Sequence, residues 1–87
     1  MKLSTRCRYG IHAMADLAQH YGQGPQSLRE IAERQEVSEM FLEQIFGALR
    51  REGFVESVRG AQGGYLLAKP PEEITIGALM RLLDGPI

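Results

Sequence analysis

The stretch Ser27 to Gly53, SLREIAERQEVSEMFLEQIFGALRREG, constrains the fold more than any other part of the chain. Ser27 stands three residues before Glu30, the spacing of a capping box in which hydroxyl and carboxylate satisfy backbone donors reciprocally, so a helix begins at Leu28. Leu28, Ile31 and Ala32 fall on one face of it, while Arg29, Glu33 and Arg34 fall elsewhere. After a break at Gln35 and Glu36, Val37 supplies an apolar plug and Ser38 a second N-cap, with Glu39 set against the positive end of the next helix. That helix, 39–52, turns Phe41, Leu42, Ile45, Phe46 and Leu49 inward, and Gly53 ends it. Such short helices do not persist alone and must pack on something. Two of them joined by a turn of about 3 to 4 residues make a helix-turn-helix, here about 27–53, whose second helix suits the major groove of a duplex.

The flanks supply the packing. Met1 to Thr5 reads as a short extended piece, with Ser4 or Thr5 capping a long first helix that stops at Gly22. Gly10, Ala13, Met14, Leu17, Ala18 and Tyr21 share a face of that helix. A glycine inside a helix costs about 1 kcal/mol against alanine, and the usual return is close approach of another backbone. Gly10 is read that way, and Gly47 as a sign of close helix packing. Past Gly53 the period shortens. Phe54, Val55 and Val58, then Tyr65, Leu66 and Leu67, suit two strands around the glycine-rich tip Arg59 to Gly64, and Pro70-Pro71 ends the second. Tyr65 is assigned to the core. Ile74 and Ile76 are expected to pair as a brief third strand. A closing helix, about 76–84, begins at Thr75 or Gly77, buries Ile76, Leu79, Met80, Leu82 and Leu83, and ends at Gly85-Pro86. The order gives one domain, 1–87, mainly α with a small β-hairpin wing at about 54–69: a winged helix-turn-helix.

Composition narrows the function. The formal net charge is only −1, so any nucleic-acid reading rests on where the charges sit. Eight of the ten cations are arginine, whose planar guanidinium suits bidentate contact to phosphate or guanine. No apolar run approaches the roughly 18 residues of a membrane span, and a cytoplasmic protein without membrane contact is expected. Cys7 is the single cysteine, in keeping with a reducing compartment. Cys7 and His12 lie roughly 140° apart around one helix, so they share no ligand site within it. Nothing resembles a nucleophile–base pair, and the Gly60 to Gly64 tip leads into a strand, which removes the phosphate-loop reading. Neither an enzyme nor a cofactor is expected.

The second helix of the motif presents Ser38, Glu39, Met40, Glu43 and Gln44 away from its core stripe. Gln44 can bond an adenine edge and Glu43 can accept from a cytosine amine. A solvated helix face explains each of these alone equally well, and a glutamate near phosphates makes sense mainly as a specificity device. Ser38, Met40, Glu43, Gln44 and Arg59 are the candidate base or groove contacts. Arg59 opens a bare glycine tip suited to a narrow minor groove, although a plain surface hairpin with an exposed cation has the same pattern. Arg6, Arg8, Arg50, Arg51, Gly60 and Gln62 are the backbone candidates, with Arg50 and Arg51 equally able to pair with Glu52 or Glu56.

Several motifs carry a family resemblance. Leu3-Ser4-Thr5 with Arg8-Tyr9-Gly10, the tetrad Phe41-Leu42-Glu43-Gln44, Val58-Arg59-Gly60 followed by Gly63-Gly64-Tyr65, and the closing ITIGALMRLLDGPI resemble the Rrf-two family of bacterial winged-helix transcription regulators. The GQGPQSLREIA stretch and the DGPI ending look closest to its cysteine-metabolism repressor branch. The resemblance implies a repressor that binds double-stranded DNA as a homodimer on an imperfect palindrome, with Glu43 and Gln44 in the major groove and Arg59 in the minor. Its signal would be a small-molecule effector or a protein partner. The family builds its dimer with a long C-terminal helix, and some members hold an iron-sulfur cluster on cysteines just before it. This chain stops at Ile87, where those features would begin, and Cys7 falls where glycine is common, so no cluster is assigned. Phe41 stands where tyrosine is common. The competing reading is a winged-helix module that docks a protein and binds no DNA, for which the acidic Glu36, Glu39 and Glu43 leave room.

Overall fold

Ser4, Ser27, Ser38 and Thr75 each accept a hydrogen bond from the backbone N–H three residues on, at 3.0, 3.0, 3.1 and 3.1 Å, and each opens a helix. The computed structural model describes residues 4–84 and holds α1 (Thr5–Gln19), α2 (Leu28–Gln35), α3 (Glu39–Arg51) and α4 (Ile76–Asp84). Between α3 and α4 run β1 (Val55–Val58) and β2 (Gly64–Leu67), an antiparallel pair in the register Val55 to Leu67 and Val58 to Gly64. The extended piece expected at Met1 to Leu3 and the stop at Gly85-Pro86 lie outside the described residues. The capping box of α2 is half made: Ser27 caps, and among the described residues the Glu30 carboxylate accepts no hydrogen bond from the Ser27 N–H.

The two motif helices end alike. Phe54 N–H reaches the Leu49 carbonyl at 2.9 Å and Gly53 N–H that of Arg50 at 3.1 Å, around a Gly53 φ of +81°. One helix earlier, Val37 reaches Ala32 at 3.1 Å and Glu36 reaches Glu33 at 3.3 Å, around a Glu36 φ of +58°. A left-handed glutamate therefore makes the turn between α2 and α3. Helix α1 stops earlier than expected, capped by His20, so Tyr21 leaves the predicted stripe and stands 48 % exposed.

Phe46, Leu17, Ile31, Leu42, Ile45 and Leu49 are the largest fully buried side chains, so all three N-terminal helices meet in one core. Each such burial stabilises by roughly 1.5–3 kcal/mol. Tyr65 joins them, half-buried and stacked on Phe46 at 4.6 Å between ring centroids. Helices α1 and α4 run antiparallel. A Cβ on Gly10 would overlap Leu83 Cδ1, so the close neighbour is a side chain of α4 and not a backbone. The Ser4 hydroxyl bonds the Asp84 carboxylate where α1 begins and α4 ends. Cys7 is wholly buried nearby, and burial, with Asp84 adding to it, pushes its thiol up.

Three expectations need correction. Ile74 and Ile76 form no strand: Pro71–Glu73 makes a 3-10 turn, Ile74 is extended but unpaired, and Thr75 caps α4 so that Ile76 falls on its outer face, 59 % exposed. The third strand partner is Gln26, which exchanges hydrogen bonds with Tyr65, each 2.8 Å long. Gly47 packs against no other helix: a Cβ there would meet only Arg51 Nη1 of its own helix, at 3.5 Å.

An unforeseen ion pair ties the ends of α1 and α2. Asp16, 6 % exposed, accepts from Arg34 Nε at 2.9 Å and Nη2 at 2.7 Å, and from Gln35 at 3.3 Å, with His20 Nδ1 3.4 Å away. Burial opposes its ionisation, but the hydrogen bonds of Arg34 and Gln35 and the charge of Arg34 outweigh it and hold the carboxyl below its ordinary value. Arg34 also reaches Gln26 Oε1 at 3.4 Å, next to the wing bridge.

Candidate nucleic-acid interface

With Leu42, Ile45, Phe46 and Leu49 turned into the core, the helical period leaves Met40, Gln44, Gly47 and Arg51 in a line down the outward face of α3. Glu43 and Arg50 flank that line. All but Gly47 are exposed, Met40 by 72 %. Ser38 is exposed too, but its oxygen is committed to the Phe41 N–H at 3.1 Å, which leaves its proton to offer outward. Glu39 lies in the first turn of α3, where the helix dipole favours a negative charge, and Arg50 and Arg51 lie in the last, where it favours a positive one.

Arg59 follows β1 directly and is exposed, as are Gly60 and Gln62. Most of the glycines around them serve the hairpin itself. A Cβ on Gly63 would overlap the Val58 carbonyl, and one on Gly64, at φ +150°, the Gln26 carbonyl. Around Gly60 nothing lies within 4 Å, but its φ of +110° and the Gly63 N–H bond to its carbonyl at 3.0 Å make it part of the turn as well. The Gln26–Tyr65 bridge and the Phe46–Tyr65 stack fix the wing to the body that carries α3. An open cleft of about 600 Å³ separates the start of α2 from the wing tip, between Arg29 and Glu33 on one side and Gln62 on the other.

Arg8 is linked to this face. Its guanidinium lies 5.4 Å from the Tyr9 ring centre, and Tyr9 meets Phe41 of α3 edge-on at 5.8 Å. Arg6, two residues earlier on α1, is exposed as well. The ion pairs among the described residues join Arg29 to Glu33, and Arg34 and His20 to Asp16. Arg50 and Arg51 thus form no pair with Glu52 or Glu56, and Arg59 has no charged partner among the described residues. Sequence reasoning missed Gln26 and the Asp16–Arg34 pair, neither of which has a signature in its own neighbourhood.

Two short capped helices, the second with one polar face turned outward, and a hairpin held by the Gln26 bridge and the Phe46 stack define a winged helix-turn-helix domain. The chain belongs to the Rrf2 family: that family's profile, described as an iron-dependent transcriptional regulator, matches residues 3–87. It is 49 % identical over 87 residues to the HTH-type transcriptional regulator CymR of Bacillus subtilis, covering all of this chain and 63 % of that protein. It is 48 % identical to the regulator IscR of Serratia proteamaculans, covering 53 % of it. The solved structure of CymR, the global cysteine regulator of B. subtilis, superposes with a TM-score of 0.95 at 48 % identity over 67 % of its chain. That of T. potens IscR superposes at 0.91 and 55 % identity over 64 % of its chain. The chain spans between about half and two-thirds of the length of these proteins.

The iron in the family description finds no fit among the described residues. Cys7 is sealed in the core, and no group of three His, Cys, Asp or Glu is placed to hold a metal ion. No helix among them is long and apolar enough to cross a membrane.

Proposed function

We propose that this domain is the DNA-reading part of a sequence-specific transcription regulator, a repressor acting as a homodimer on an imperfect palindrome. The observation that carries the reading is a shared frame: Ser38-capped α3 exposes Met40, Glu43 and Gln44 on one outward face, and the wing with uncommitted Arg59 is locked to the same body. In this reading α3 lies in the major groove, where Gln44 bonds an adenine edge and Glu43 accepts from a cytosine amine. Arg59 enters the minor groove beside it, and Ser38 offers its proton to a base or phosphate. Arg6, Arg8, Arg50, Arg51, the Gly60 backbone and Gln62 hold the phosphates. Half-sites of a dimer in successive major grooves lie about 10 base pairs apart or a multiple of that. The likeness to CymR supports a signal linked to cysteine, delivered by a small molecule or a protein partner.

A titration tests this, using the region upstream of the protein's own gene against scrambled DNA at several salt concentrations. Preference for the upstream duplex with a steep salt slope supports the reading. Salt-sensitive binding without preference reduces it to the electrostatic term. No binding at any salt favours the second reading, a protein-docking module, for which the exposed Glu36, Glu39 and Glu43 around the start of α3 would suit a basic partner.

A further inference from the structure

The acidic and polar front of α3 contains one side chain that belongs to neither class. Met40 is 72 % exposed, more than the other exposed large hydrophobic residues among the described ones, Tyr21, Val58 and Ile76. It sits in the first turn of α3, one turn from Glu43 and Gln44 and on their face, so it projects wherever their tips project. Two turns on, the same face is bare at Gly47, a mid-helix glycine that no internal contact requires. A helix that gives up about 1 kcal/mol for a missing methyl on its outward face is shaped for a surface that comes close to its axis.

We infer that Met40 reads the 5-methyl group of a thymine, which deepens the DNA reading proposed above and rests on it. The major-groove edges of the four base pairs offer donors, acceptors and a single apolar group, the thymine methyl. A thioether is flexible and polarisable, has no strong donor or acceptor for the other groups, and gains by covering that methyl. Gln44 supplies the context. An A·T pair whose adenine edge is held by Gln44 carries its thymine methyl on the same groove edge, within the span of one helical turn. Met40 and Gln44 then select adjacent features, one by contact and one by hydrogen bond.

The test uses a duplex chosen by the wild-type protein from a random pool, with each thymine replaced in turn by deoxyuridine, which removes only the methyl. Wild-type affinity should fall about three- to fivefold at one thymine per half-site, as expected for one buried methyl. Met40→Ala should bind the thymine duplex that much more weakly and show no further loss on deoxyuridine. Met40→Leu should keep the discrimination. An unchanged melting curve for the exposed substitution separates contact from folding. Wild-type indifference to deoxyuridine, or equal sensitivity of wild type and Met40→Ala, overturns the methyl reading alone. Failure of the wild type to select any sequence overturns it together with the DNA reading.

Discussion

Gln26 and Tyr65 exchange both of their backbone hydrogen bonds at 2.8 Å, which makes the residue before the α2 cap a one-residue strand of the wing. Gly64 must stay bare for this, because any Cβ there would strike the Gln26 carbonyl. Gly64→Ala should cost about 1–3 kcal/mol of stability and loosen the wing while α1 to α3 persist. Binding should weaken on every sequence, as if Arg59 had been removed. Denaturation monitored by circular dichroism, paired with titrations on preferred and scrambled duplexes, checks both effects.

Arg59 and Glu43 should fail differently. Arg59→Ala should weaken binding to all sites, most at a narrow minor groove, whereas Glu43→Ala should relax choice at particular bases. A mismatch normally costs about 1–3 kcal/mol, so the relaxed position should lose most of that penalty. Affinities over a set of single-base variants give the answer. Equal loss from both substitutions with preference unchanged would remove α3 and the wing from their grooves.

Gly47→Ala separates stability from binding. With only Arg51 Nη1 in reach of the new methyl, the fold should gain up to about 1 kcal/mol. DNA binding should fall at least severalfold if the face meets a duplex closely. A melting curve and a titration on the same preparation decide it, and a variant both more stable and equally tight would leave the glycine without a reason.

The Asp16 site predicts an acid-sensitive fold. Because its folded value is lowered, the unfolded chain takes up the proton first, and stability rises with pH across that range. The contribution is complete above the unfolded value of about 3.9 and is lost as pH falls through the lower folded one. Asp16→Asn should cost about 2–3 kcal/mol near neutrality and flatten the acid limb of the stability profile. Urea unfolding at a series of pH values measures both.

These residues also show where sequence stops speaking. Ser27, Ser38 and Gly53 announce helix ends because capping is settled within three or four residues, and the outward set Met40, Glu43, Gln44 follows from helical period alone. Gln26 announces nothing. Its partner lies in the wing, and Ile74 and Ile76 had the better strand composition. Asp16 gains its partners only when α2 brings Arg34 and Gln35 to it, 18 and 19 residues on. Gly10 and Gly47 carry the same local signal, yet one is filled by Leu83 and the other faces outward, a difference only the packing decides.

The junction of Ser4 with Asp84 gives the domain a mechanical character. Because α1 and α4 run antiparallel from that point, tension applied at residues 4 and 84 separates them one contact at a time. The hydroxyl–carboxylate bond parts first, then the Leu83 knob leaves its seat over Gly10, then Leu79 is drawn from the core. Peeling of this kind yields at low force, and it reaches the helix-turn-helix once Leu17, Leu79 and Leu83 are drawn out of the core they share with α2 and α3.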